Sequence, residues 1–226
     1  MSDLSVMAGQ ARTAQRTFAA AAPEQRTAAL VALATILQER AGEILSANLV
    51  DCAVAEDSGL APTLLSRLRL NPAKLATLRD GLLSLASSTD PVGQPIRRTS
   101  LDEDLILTQV MSPIGVLLII FESRPDAVIQ IGGLAVRSGN AVILKGGREA
   151  KETNAVLVSC IQQALRDQNL PPEVVVGVED RASVSALLAM DELIDLVVAV
   201  VEPDAWLRNG GDSASIKVYQ SNLVVR

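Results

Sequence analysis

The 226-residue chain predicts an α/β protein: a Rossmann-like parallel sheet with helices on both faces, preceded by an N-terminal helical region and an extended β arm. Three observations carry that prediction. Hydrophobic residues make up 49% of the chain but aromatic ones only 2%, so the core is built from Ala, Leu, Val and Ile, as in sheets whose central strands are apolar on both faces. From residue 113 onward, short β-prone apolar runs alternate with segments of helical periodicity. Over residues 1–90 the pattern is helical alone.

In the helical region, Leu30, Leu33, Leu37, Ala41 and Ile44 recur at helical spacing among Glu24, Arg26, Glu39 and Arg40. Asn71 before Pro72 is a helix start, because Asn caps free N–H groups and Pro loses nothing at the first helical position. It predicts a helix over residues 72–86. Asp90-Pro91-Val92-Gly93 is turn chemistry, and the β-prone residues 105–110 read as an extended arm leading into the sheet. The sheet region predicts strands at 116–121, 141–144, 174–178 and 196–201. Between them lie a helix opened by Pro125 and closed by Gly139, a helix over 149–167 ended by Pro171-Pro172, and a helix over 183–190. Such a βαβ series makes right-handed crossovers and puts ligands at the carboxyl ends of its strands. Beyond Pro203 the periodicity fades, with an exposed turn at 209–213 and a last β-prone stretch at 216–218.

Composition excludes several classes of function. A net charge of −6 without a basic run argues against a nucleic-acid surface and favours a small-molecule ligand. There is no histidine, which removes Ser-His and Cys-His nucleophiles and His-containing zinc sites. Cys52 and Cys160 are too few for a disulfide framework or a metal site, so a reducing compartment is expected. The longest apolar run, residues 113–121, is far short of the ~20 residues of a membrane span. With no signal-like segment at the start, a cytoplasmic protein without membrane partners is expected.

Neither G-x-G-x-x-G nor G-x-x-x-x-G-K-[ST] occurs. Two polar clusters follow the first two strands instead: Glu122-Ser123-Arg124-Pro125-Asp126 and Lys145-Gly146-Gly147-Arg148-Glu149. A lysine leaving a strand into Gly-Gly can reach a ribose hydroxyl or a phosphate. The glycines admit a ligand to the backbone, and the next helix offers its N-terminus to an anion. Plainer readings stand beside these: Lys145 in a solvated turn, Arg124 pairing with Glu122, Asp126 capping its helix, and both cysteines packing as small hydrophobes.

Longer stretches carry a resemblance: Ser112-Pro113-Ile114-Gly115-Val116, Phe121 to Asp126, and Ser138-Gly139-Asn140 running through Ala141-Val142-Ile143-Leu144 to Lys145-Gly146-Gly147. The chain resembles the γ-glutamyl phosphate reductase (glutamate-5-semialdehyde dehydrogenase) family of the aldehyde dehydrogenase superfamily. The likeness covers about residues 8–198, taking in Asn48, Asp51, Gly59-Leu60, Arg67-Leu68, Met190-Asp191 and Ile194-Asp195. It implies an NADPH-binding α/β domain at 113–202, an oligomerisation arm at 91–112 and a divergent tail at 203–226. It further implies that Glu122, Ser123, Arg124 and Pro125 line the dinucleotide, and that Lys145, Gly146 and Gly147 hold the adenosine ribose or its 2′-phosphate. Asp126 falls where many relatives have an oxyanion-stabilising Asn, and bifunctional relatives resemble this chain in carrying Asp there.

Two features depart from the family. The Pro-Ala-Ala-Cys-Asn-type motif of the nucleophile is absent, and Val197-Val198-Ala199-Val200-Val201-Glu202-Pro203 replaces the Ile-Pro-Arg-Gly-Gly turn. The resemblance thus implies an oxidoreductase of proline biosynthesis that acts on γ-glutamyl phosphate, represented here by its cofactor-binding half and inactive alone. Alternatives are a truncated, non-catalytic paralogue that binds nucleotide or pairs with a full-length relative, and an incomplete gene model. The arm implies a homo-oligomer or such a pairing.

Overall fold

The computed structural model describes residues 3–179, 181–199, 216–219 and 222–225. Five helices come first: α1 (Asp3–Ala19), α2 (Pro23–Glu39), α3 (Ala41–Asp57), α4 (Pro62–Leu68) and α5 (Pro72–Ser87). The apolar series from Leu30 to Ile44 spans two of them, because the chain leaves helical geometry at Arg40 (φ −96°, ψ 14°). Leu30, Leu33, Leu37 and Ile44 nevertheless all reach the core, whereas Ala41 sits at its margin. Burying each such leucine contributes about 1.5–3 kcal/mol. Asn71 does cap α5, its Oδ1 accepting from the Lys74 N–H at 2.8 Å.

The arm is an antiparallel hairpin of β1 (Pro95–Asp102) and β2 (Leu105–Val110), with Asp104 at φ 64° in its turn. Ile96, Leu101, Leu105, Ile106 and Leu107 all stand exposed on it. After it come β3 (Val116–Ile120), α6 (Asp126–Ser138), β4 (Ala141–Lys145), α7 (Lys151–Asp167), β5 (Val175–Val178), α8 (Arg181–Leu188) and β6 (Leu196–Ala199). These four strands are parallel in the order β5-β4-β3-β6. The chain steps outward from β3 to β4 to β5 and then returns past β3 to β6. With right-handed crossovers, that reversal puts α8 on the opposite face from α6 and α7. α1 packs against α8 and along β4, while α2, α3 and α5 form a further layer over α6 and α7. β4 is buried along its whole length, which is why its sequence is apolar up to the closing Lys145.

The boundaries differ from the sequence expectations in several places; the helix expected over 183–190 is Arg181–Leu188, and the strand expected from 174 begins at Val175. The helix expected from residue 149 begins as a single 3₁₀ turn, Arg148–Ala150, because the two glycines before it redirect the chain. Pro125 precedes its helix rather than entering it, and lies at φ −61°, ψ −27°. A last strand, β8 (Asn222–Val225), pairs with β7 (Ile216–Tyr219) and was not expected. The turn expected at 209–213 and the end of the strand at 200–201 lie outside the described residues.

Two polar clamps close the structure. Asp195, just before β6, accepts both guanidinium nitrogens of Arg12 and the backbone N–H of Val116 at 2.7 Å. The carboxylate lies against Gly115 (φ +134°), where a side chain would overlap it. Beside it, Asn140 Oδ1 accepts the Gly115 N–H at 2.9 Å, and Gly139 (φ 71°) ends α6 with room for nothing larger beside Pro113. The second clamp is Asp90, which takes Arg26 Nε and Nη2 at 3.0 Å and the Val92 N–H at 2.9 Å. Burial pushes the Asp90 carboxyl up, but the bonds from Arg26 and Val92 and the charges of Arg26 and Arg137 outweigh it and leave it lowered. Replacing Asp195 by Ala strands the Val116 N–H and Arg12, at a cost of about 1–3 kcal/mol. The expected outcome is a fall of roughly 3–10 °C in the midpoint of thermal unfolding followed by circular dichroism.

Candidate functional site

The carboxyl ends of β3 and β4 lie side by side, because the Phe121 N–H still pairs with the Lys145 carbonyl at 3.0 Å. The two polar clusters of the sequence therefore meet at one edge of the sheet. Lys145 closes β4 with only 8% of its surface exposed, and among the described residues no side chain pairs with its ammonium group. It borders a pocket of about 550 Å³ that Glu122, Gly147, Arg148, Glu149 and Ser185 of α8 also line. A second pocket, of about 640 Å³, begins at the same bend and runs between β5 and α7, past Phe121, Gly146, Asn154 and Val178. Lys151 and Glu179 pair at 3.4 Å at its rim.

The loop after β3 is held by the loop after β4. Ser123 is buried and adopts φ 49°, and both its N–H and its Oγ donate to Glu149 Oε1, at 2.6 and 2.7 Å. Glu122 is exposed beside Lys145 in the smaller pocket. Arg124 pairs with Asp126 at 3.3 Å, not with Glu122, because the turn into α6 carries it toward the helix. Asp126 also accepts from Gln130 Nε2 at 3.3 Å, one helical turn on, so its carboxylate is engaged by side chains rather than by the helix amides.

One expectation about this edge needs correction, that of an open helix N-terminus, while Gly147 borders both pockets and Gly146 the larger. The side on which each glycine would carry a Cβ is not open: a side chain at Gly146 would overlap the Asn154 amide, and one at Gly147 would overlap the Glu149 carboxylate. Their small size serves internal packing as well as the bend. Nor is the N-terminus of α7 open to an anion. Asp51 of α3 accepts the N–H groups of Glu152, at 3.2 Å, and Thr153, at 2.8 Å. Asn48, one turn earlier on α3, bonds Thr153 Oγ1, the Leu68 carbonyl and the Leu70 N–H, so the junction is sealed with buried polar groups. Glu149 and Asp51 both shape the site; the sequence placed Glu149 in the polar cluster and Asp51 in the family likeness, but not their partners, which are 26 and 102 positions away in the chain.

Residues 2–203 match the aldehyde dehydrogenase family. The chain belongs to that family. It is 45% identical over 195 residues to γ-glutamyl phosphate reductase of Acetivibrio thermocellus, across 86% of this chain and 45% of that protein. It is 41% identical over 193 residues to Δ1-pyrroline-5-carboxylate synthase of Mesembryanthemum crystallinum, across 85% of this chain and 27% of that protein. Among solved structures, γ-glutamyl phosphate reductase of Saccharomyces cerevisiae superposes with a TM-score of 0.85 at 37% identity, over 92% of this chain and 53% of that one. The Thermotoga maritima reductase gives 0.85 at 30% identity, over 93% and 52%. The chain thus spans about half the length of the reductases it matches.

Within this member of the aldehyde dehydrogenase family, neither cysteine lines either pocket. Both are buried, Cys52 beneath α4 and Cys160 on the inner face of α7. Burial pushes the Cys160 thiol up to about 11, against a smaller opposing effect of the Arg40 charge. Burial likewise raises Cys52, against weaker contributions from Arg69. Because the folded thiol of Cys160 titrates above its ordinary value of 9.0, its contribution to stability is complete below pH 9 and is lost as pH rises toward 11. Among the described residues no three Cys, Asp or Glu side chains group to hold a metal, and no described helix is long and apolar enough to cross a membrane. Iodoacetamide at pH 7 is expected to leave both cysteines of the native protein unmodified over hours and to label both at once in denaturant. Rapid labelling of either thiol in the native state, read by intact mass, overturns this.

Proposed function

We propose that this chain is the NADPH-binding half of a reductase that acts on γ-glutamyl phosphate in proline biosynthesis, and that the 226 residues alone do not turn it over. The observation that carries the reading is Lys145, whose stem is buried at the meeting of two strand ends and which borders the smaller pocket without a described side-chain partner. An ammonium group that opens onto a pocket from a strand end can meet an anion there. An adenosine phosphate, with Arg148 and Gly147 along the same wall, fits that place. The identity to reductases and to a pyrroline-carboxylate synthase supports the substrate class. When bound, the nicotinamide supplies hydride. The chain's own residues bind and orient: Lys145 meets the phosphate or ribose, while Glu122, Ser123, Arg124 and Pro125 present the loop against the dinucleotide. Asp126, with Arg124 and Gln130 as partners, stands at the start of α6 as the candidate for the polar group nearest the chemistry. Acyl transfer through a thioester requires an exposed thiolate, which neither Cys52 nor Cys160 provides.

Calorimetric titration tests this. A charge-assisted contact is worth about 1.5–3 kcal/mol, so Lys145→Ala is expected to weaken NADPH binding roughly ten- to hundredfold. Equal affinities in parent and variant would place the cofactor elsewhere, and glutamate-5-semialdehyde dehydrogenase turnover by the chain itself would overturn the non-catalytic part.

A second observation supports self-association through the arm. β1 and β2 leave six large apolar side chains in water, and a two-stranded ribbon with bare edges is only marginally stable by itself. Light scattering after size-exclusion chromatography is expected to give a mass above the monomer, and a Leu105→Lys/Leu107→Lys variant to bring it down. A monomer at tens of micromolar in both would return the arm to an ordinary surface hairpin.

A further inference from the structure

We propose that Glu149 is a positioning residue: its carboxylate sets the conformation of the loop at residues 122–126, and through that loop the affinity of the strand-end site for dinucleotide. The second half rests on the reading given under Proposed function. The first half stands on geometry alone.

Three non-glycine residues among those described have positive φ: Asp104, Ser123 and Asn169. Asp and Asn tolerate the left-handed region through their short polar side chains, and Asp104 and Asn169 occupy turns. Ser123 has less intrinsic preference for it and is buried at 4% exposure, so something outside the residue must hold it there. Glu149 does so. One oxygen, Oε1, accepts from both the amide and the hydroxyl of Ser123, a pairing the residue cannot make at an ordinary extended φ without turning its amide away.

The carboxylate is itself seated. It lies over Gly147, on the side where any other residue would carry its Cβ, so a larger residue there would push the carboxylate off its present position. β4, Gly147, Glu149 and Ser123 thereby form one continuous link to the end of β3. Ser123 in turn sets the exit of the chain into Arg124, Pro125 and Asp126. Glu122 and Lys145, on either side of this link, line one pocket, so a change at Ser123 alters the spacing of that wall.

The test is hydrogen exchange by mass spectrometry over peptides covering residues 121–128, together with NADPH titration, on the full chain. Glu149→Ala is expected to speed exchange at the Ser123 and Arg124 amides at least about tenfold. It is also expected to weaken NADPH binding about tenfold or more, the scale set by loss of two charge-assisted bonds. Glu149→Gln retains an oxygen that accepts the same two bonds, and should stay within about threefold of the parent in both readouts. Adding Ser123→Gly to Glu149→Ala gives the position a residue that adopts φ 49° freely, so affinity should partly return even though the bonds do not. Gly147→Ala, which displaces the carboxylate from its seat, should reproduce Glu149→Ala. Should Glu149→Ala not fold, Glu149→Gln and Gly147→Ala carry the comparison.

Exchange at Ser123 and Arg124 unchanged in Glu149→Ala overturns the proposal. Faster exchange with unchanged NADPH affinity overturns its second half, as does a Ser123→Gly addition that recovers nothing. A parent that binds no NADPH refutes the functional reading instead, while the exchange data still decide whether Glu149 holds the loop.

Discussion

The position of Asp195 ties a helix, two strands and a glycine turn of this structure together. Its carboxylate takes a guanidinium from α1 on one side and the first N–H of β3 on the other, and it occupies the space above Gly115. The β3–β6 pairing has Leu117 opposite Leu196, the residue next to Asp195, so the bond to Val116 fixes that register from its first rung. Arg12 then fixes where α1 lies across the sheet. A parallel pair has no tight turn to set its register, so a polar group at the strand start does work that a hairpin turn does in an antiparallel pair.

Much of the sheet region could be read from the sequence because β3, β5 and β4 up to Lys145 are apolar runs and their helices carry clear starts and stops. Gly139 shows the reason: αL geometry after a helix is almost a glycine's signature, and the next strand follows at once. The break at Arg40 was not readable, because the apolar stripe keeps its phase through it. The site was legible at the level of segments. That residues 122–126 and 145–149 share an edge follows from the strand order, but which side chain takes which partner does not. Arg124 had two acidic candidates at equal separation, Glu122 and Asp126, and only the turn into α6 decides between them.

The family signatures divide by physical role. Ser112 to Val116 and Ser138-Gly139-Asn140 lie at the amino edge of the sheet, where Asn140, Gly115 and Pro113 pack together. They are far from any ligand edge, and their residue types follow from the joint they make. Phe121 to Asp126 and Lys145-Gly146-Gly147 lie at the carboxyl edge, where Lys145 borders a pocket and has no described side-chain partner. A motif that spans β4 from end to end, as Asn140 to Gly147 does, thus joins a scaffold element to a site element through a strand five residues long.

The bond from Asp51 to the start of α7 has a consequence for how this architecture can be recombined. Helical layers of α/β proteins are often treated as exchangeable pieces, grafted from one relative to another at a loop. Here α3 supplies the cap of a helix that begins a few residues after the ligand-edge lysine, and Asn48 shares Thr153 with it. A chimaera that takes its first ninety residues from one parent and its sheet from another inherits two halves of a single polar joint. Unless Asn48, Asp51 and Thr153 travel together, it buries amides and a hydroxyl whose partners stayed behind in the other parent.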